Sequence, residues 1–235
     1  MTSTMAAKPK LEKEGKQRIV VVIVYMMVCW TLLFLAAGTV SWPAAWLYVA
    51  LQFVIFLTLG LYAAHVNPEV INERGRKSDK TKSWDKIFSL VYAPQIFLTP
   101  IIAGLDHRLG WSNPGIFWQI VGTAILIPGF SLPYWAMMVN DFLTVTVRLQ
   151  EERGHRPITH GPYRFVRHPM YAGAILSFIG TPLLLGTWWT FIPCGIAILA
   201  VIVRTALEDK TLQAELPGYA DYAQRTRYRL LPGVW

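Results

Sequence analysis

The chain has 235 residues, 54% of them hydrophobic and only 15% charged, with a formal net charge of +8 at neutral pH. An ordinary soluble domain carries roughly 25% charged residues, and here the charges stand in blocks between long uncharged runs. That distribution excludes a soluble globular domain, and the positive balance points to topology and anionic lipid rather than nucleic acid.

In chain order, the uncharged run from Ile19 to Val40 makes a helix of about 33 Å, enough for a hydrocarbon core of about 30 Å. Ala44 to Ala64 is a second such run. Ile87 to Leu105 is a third and holds Pro94 and Pro100, while Pro114 to Asn140 is a fourth, in which Pro128 and Pro133 predict kinks. Pro169 to Val203 has no charge over 35 residues. As one helix it would measure about 52 Å, too long for a single crossing. A hairpin breaking at Gly186-Thr187-Trp188 is therefore predicted, and whether it reaches the far surface stays open. The expected fold is all-α, a polytopic transmembrane bundle of about six helices whose last two form a hairpin. Residues 1–140 are expected to form the N-terminal helices with a tail and an interfacial loop, and residues 141–235 the catalytic region.

The basic residues set the orientation. With six helices, the N-terminal tail (Lys8 to Arg18), the loop from Arg74 to Lys86, the segment from Arg148 to Arg167 and the tail from Arg204 to Arg229 share one side, leaving Arg108 alone opposite. The positive-inside rule then predicts cytoplasmic termini and a cytoplasmic site. The first apolar run is too long for a cleavable leader and has no convincing cleavage site. Asn67 to Lys86 reads either as an interfacial segment, with Val70, Ile71 and Trp84 toward lipid, or as a solvated loop. Cys29 and Cys194 read as small core residues. No metal centre is expected, because the histidines lack His-x-x-x-His or His/Cys pairing.

Two segments carry the candidate chemistry. Gln150 to Gly173 packs three His, four Arg and two Tyr into 24 residues before the final hairpin. Gly161-Pro162 marks a turn, and Pro169 suits the first turn of a helix, placing His168 at an N-terminus that favours an anionic group. The plainer reading is a basic loop that meets lipid phosphates. The second segment is Arg204 to Leu212, where Arg204 and Glu208 share a helix face. That pair is either a snorkelling salt bridge or a cationic and an anionic handle for a zwitterionic ligand. No glycine-rich dinucleotide loop and no Gly-x-Ser-x-Gly elbow is present.

At Gly161-Pro162-Tyr163, Arg167-His168-Pro169-Met170-Tyr171 with Gly173, Arg204 with Glu208-Asp209 and Leu212, and the ending from Tyr219 to Trp235, the chain resembles the isoprenylcysteine carboxyl methyltransferase family, in its shorter prokaryotic branch. Asn67-Pro68-Glu69 and Trp84-Asp85-Lys86 are similar to its bacterial members. The chain departs from the family at Asp209, where a second Glu is common, and at Leu216-Pro217-Gly218. The resemblance implies methyl transfer from S-adenosylmethionine to a membrane-held amphiphile: a prenylcysteine-like carboxylate, a phospholipid amine or a small thiol. It implies that Gln150, His155, Arg156, Pro157, Ile158, Tyr163, His168, Pro169, Met170, Tyr171 and Glu208 contact the cofactor, and that Arg204 faces the acceptor, with Arg204 and Glu208 as the catalytic pair. Two other readings stand beside it. One is an NADPH-dependent sterol-type reductase, disfavoured by Met170 and the Arg204/Glu208 pair; the other is a non-catalytic lipid-binding protein.

Overall fold

A computed structural model of the chain describes residues 10–76 and 82–235, so the expectations for Lys8, Lys77 and Lys80 lie outside the described residues. Its long helices are α1 (Lys13–Ala37), α2 (Pro43–Val66), α4 (Ser83–Leu109), α5 (Ile116–Val139), α6 (Pro169–Leu185) and α7 (Phe191–Glu215). Two short helices, α3 (Pro68–Gly75) and α8 (Tyr219–Arg225), lie at the end that carries the basic segments. No strand occurs among the described residues. Five of the long segments have the length and apolarity to cross a bilayer, and α6 is the shorter sixth. The chain is a polytopic helical membrane protein.

The hairpin turns where expected. α6 stops at Leu185, and Gly186 takes the left-handed conformation (φ 72°) that a side chain would disfavour. With 17 residues, α6 is only about 25 Å long. Its turn nevertheless meets the α4–α5 connection. Trp188 N donates to Ser112 Oγ at 2.9 Å, and Trp189 N donates to Asp106 Oδ2 at 3.1 Å. Trp188 and Trp118 pack edge to face at 5.7 Å, and Trp42 of the α1–α2 connection stacks on His107 at 4.0 Å. All three connections at this end therefore lie together, and the hairpin reaches as far as its neighbours.

α5 and α6 pack at backbone contact. A Cβ added at Gly122 would lie 2.3 Å from Leu184 N, and one added at Gly173 would lie 2.7 Å from Pro133 Cδ and 2.9 Å from Gly129 O. Glycine permits this approach, which replaces a hydrophobic drive that is weak between helices in lipid. Pro128 and Pro133 sit inside an uninterrupted α5. Pro133 cannot donate to Gly129 O, and Gly173 packs against that oxygen.

The interfacial reading of Val70 and Ile71 is corrected. Both are buried against Met137, with Leu11, Ile19 and Met170 around them, because α1 and the loop after α5 cover α3. Asn72 ties α3 to α1, donating to Lys10 O at 3.0 Å and accepting from Glu12 N at 2.9 Å. Glu73, also buried, pairs with Arg76 and Arg148. Asn67 donates to Met137 O at 3.0 Å and to Asp141 Oδ1 at 2.8 Å.

Candidate active site

The loop between α5 and α6, the polar end of α7 and α8 surround a cleft of about 780 Å³. His155, Arg156, Pro157, Ile158, Tyr163, His168, Pro169, Met170, Tyr171, Arg204 and Glu208 line it together. Gln150 does not. It is fully buried behind the wall, where its Nε2 donates to Phe142 O at 2.7 Å and its Oε1 accepts from Arg153. Its backbone N–H donates to His155 Nδ1 at 3.4 Å. Gln150 thus shapes the loop that presents His155.

His168 caps α6, with Pro169 in the first helical position. Its ring lies between the two acids of α7: Nε2 is 3.2 Å from Asp209 Oδ1, and Nδ1 is 4.0 Å from Glu208 Oε1. Two adjacent residues on a helix point about 100° apart, so Asp209 turns inward and Glu208 toward the cleft. Asp209 is fully buried and carries a dense set of donors. Arg167 grips it with both fork nitrogens at 2.8 Å, and Tyr219 Oη, Gln213 Nε2 and Arg229 Nε donate at 2.8–3.0 Å. The remaining Arg167 nitrogen donates to Thr226 O and Arg227 O, both at 2.8 Å. Backbone bonds from Arg167 N to Tyr228 O and from His168 N to Arg229 O, each 2.9 Å, complete the seam. A bidentate arginine–carboxylate pair with every polar atom partnered satisfies the conditions for a tolerable buried charge. Arg167 lines the cleft and Asp209 lies behind it; both stand in the motifs that carry the family resemblance, but their pairing with each other is visible only in the structure.

Glu208 keeps one oxygen toward the cleft while its Oε2 accepts from Tyr171 Oη at 2.5 Å. Arg204 is buried rather than snorkelling. Its Nη2 lies 3.1 Å from Asp85 Oδ1 and donates to Val145 O at 2.8 Å, whereas Glu208 Oε2 is 3.9 Å from its Nε. The guanidinium packs over Phe88 at 4.3 Å and Tyr171 at 5.5 Å. Its Nε is buried without a hydrogen-bond partner. Asp85 also accepts from Val147 N at 3.0 Å, joining α4 to the cleft loop. Sequence reasoning passed over Asp85 as a partner of Arg204, since the two are remote in the chain.

The loop side is aromatic. His155 stacks on Phe142 at 4.6 Å. Burial, with Arg153 adding repulsion and Glu152 opposing, pushes its pKa down to about 4, so the ring is neutral at physiological pH. Because Nδ1 accepts from Gln150 N, the proton sits on Nε2. Burial holds the Tyr163 phenol far above its usual range; it accepts from Asn140 Nδ2 at 2.9 Å, and Tyr163 O accepts from Tyr222 Oη at 2.7 Å. Among the described residues no cluster of three metal-ligating side chains occurs.

The phospholipid methyltransferase family model matches residues 117–216, the stretch that spans α5, the cleft loop, α6 and α7. The chain is similar to the probable protein-S-isoprenylcysteine O-methyltransferase of Oryza sativa subsp. indica, with 31% identity over 103 residues covering 41% of this chain and 54% of that one. It is similar to protein-S-isoprenylcysteine O-methyltransferase A of Arabidopsis thaliana, with 33% identity over 101 residues (41% and 44% of the two chains). For methyltransferase B of the same plant, identity is 28% over 148 residues (58% and 66%). The chain spans about half the length of the first of these relatives. The region that builds the cleft is thus the one that the phospholipid methyltransferase family model matches.

Proposed function

We propose that the chain is an S-adenosylmethionine-dependent methyltransferase acting at the membrane surface on a lipid-like or small amphiphilic acceptor. O-methylation of an isoprenylcysteine-type carboxylate is the prototype; a phospholipid amine or a thiol fits the same chemistry. The observation that carries the reading is the convergence of His168, Tyr171, Arg204 and Glu208 on one cleft from two different helices. The bound cofactor supplies an electrophilic methyl group on a sulfonium.

The residues fit that ligand. Glu208 offers a carboxylate oxygen to an ammonium or to ribose hydroxyls, His155 offers an Nε2–H, and Phe142 and Tyr163 offer aromatic surface. Arg204 is held by Asp85 and Val145 O with its Nε unpaired, so it can orient an acceptor carboxylate or phosphate. Methyl transfer is an in-line displacement, and holding both reactants in line supplies much of the rate. An ionised carboxylate needs no general base. For an amine or thiol the departing proton needs a receiver, and His168 and Glu208, whose Nδ1 and Oε1 lie 4.0 Å apart, are the candidates. By the positive-inside rule the site faces the cytoplasm, with the chain in a bacterial inner membrane.

The deciding experiment is transfer of labelled methyl from S-adenosylmethionine in membranes containing the chain, followed by mass identification of the product. Selective binding of NADPH, with neither methyl transfer nor S-adenosylhomocysteine binding, would overturn the reading.

A further inference from the structure

A second cavity lies behind the cleft, among α1, α2, α3, α5 and α6. It holds about 1170 Å³ of empty space, and its wall is mostly apolar, with Arg18 and Arg74 as its only charged residues and Tyr25, Gln52, Tyr134 and Ser177 adding polar atoms. A third space of about 930 Å³ continues it, sharing Tyr25, Met26, Gln52, Phe130 and Ser177 as walls and ending at Leu33 and Leu185. From Arg18 to Leu33 along α1 is about 22 Å at roughly 1.5 Å per residue, the reach of a long hydrocarbon chain.

The two arginines make this more than an apolar void. Glu73, the acid beside Arg74, is taken by Arg76 and Arg148. Among the described residues no carboxylate lies within 4 Å of a nitrogen of Arg18 or Arg74 in an ion pair. The Arg74 contacts are weak ones, Nη1 to Thr144 O at 3.4 Å and to Met170 Sδ at 3.7 Å. Burial, then the neighbouring charge of Arg18, brings the Arg74 pKa down to about 10, so it is still cationic at neutral pH. Both side chains are half-buried, and two such cations without a counter-ion beside an apolar chamber favour a ligand that supplies the charge. Deeper in, the Tyr25 hydroxyl is buried without a hydrogen-bond partner and lines both spaces. Met170 is the shared wall, lining this chamber on one side and the cleft on the other.

We propose that this chamber seats an anionic amphiphile, with a phosphate or carboxylate between Arg18 and Arg74 and its hydrocarbon tail running toward Leu33 and Leu185. Its head group then lies one side chain, Met170, away from the cleft. That the same molecule is the methyl acceptor rests on the methyltransferase reading; the anion seat itself does not.

The test uses the full chain purified in maltoside micelles, with retention of tritiated dodecyl phosphate and dodecan-1-ol as the readout. Dodecyl phosphate is expected to bind about tenfold or more tighter than the alcohol. Arg18→Gln and Arg74→Gln should each remove about tenfold of that affinity and leave the alcohol unchanged. Ile55→Trp, which narrows the tail region, should weaken both probes, and inorganic phosphate should compete poorly. S-adenosylhomocysteine binding by Arg18→Gln reports that the fold is intact. Equal binding of the two probes, indifference to both arginine variants, or competition by inorganic phosphate as strong as by dodecyl phosphate overturns the seat. Selective dodecyl phosphate binding without any S-adenosylhomocysteine binding supports the seat and removes the methyltransferase reading alone.

Discussion

Asp85 at the start of α4 and Arg204 near the end of α7 form a buried ion pair, 3.1 Å from Oδ1 to Nη2, beside the cleft that Arg204 lines. Asp85 also receives Val147 N, so one carboxylate orients both the cleft loop and the guanidinium proposed to face the acceptor. Asp85→Asn should keep S-adenosylhomocysteine binding within about threefold while lowering methyl transfer by about tenfold or more, since alignment is what it removes. Paired calorimetry and methyl-transfer assays separate the two effects. Unchanged transfer would show that Arg204 needs no such support.

Glu208 and Asp209 are adjacent but perform different tasks. Glu208→Gln should abolish measurable binding of S-adenosylhomocysteine at both low and high salt, with little change in thermal stability, because the side chain lies at the cleft surface. Binding to a merely basic, lipid-facing loop would weaken smoothly with ionic strength and ignore this substitution.

Asp209→Asn should instead destabilise the protein by about 3–5 kcal/mol, the cost of leaving the buried Arg167 unpaired, with the half-exposed Arg229 adding little. Arg167 and Arg229 both lose their counter-charge. Thermal unfolding in detergent reads this directly, and an unfolding temperature within a degree of the parent would contradict the central place given to Asp209.

The pH response of His155 has a definite sign. Its folded pKa, about 4, is below the ordinary value near 6.5, so the unfolded chain binds the extra proton first. Its contribution to stability is therefore fully present above about pH 6.5, declines as pH falls toward 4, and is constant below that. Cofactor-analogue binding should show no histidine titration from His155 between pH 6 and 8. An NMR titration of its ring giving a pKa near 6.5 would refute the burial argument.

Two glycines make a matched pair for stability. Gly122→Ala places a methyl 2.3 Å from Leu184 N and must push α5 and α6 apart, whereas Gly195→Ala meets nothing within 4 Å. The first should lower the unfolding temperature clearly. The second should be neutral or slightly stabilising, because alanine is the better helix former by about 1 kcal/mol. Equal effects would mean the α5–α6 contact carries no special weight.

The spans were legible because helix length and uncharged runs are local properties: Ile19 to Val40, Ala44 to Ala64 and the break at Gly186 all read directly from the chain. His168-Pro169 and Arg204 to Glu208 were legible too, since they bracket a hairpin whose geometry brings its ends together, whereas His155 to Ile158 came only from the family resemblance. Gln150 stands behind the wall because its side chain is claimed by Phe142 O and Arg153, which spacing does not reveal. Val70 and Ile71 carry an amphipathic pattern that suits lipid as well as protein, and only the cover of α1 and the loop after α5 decides for burial. The partners of Arg204, Arg167 and Arg74 are likewise fixed by packing between segments about 40 to 120 residues apart; charge pairing has no sequence period, so only the assembled helices determine which cations are neutralised and which still await an anion.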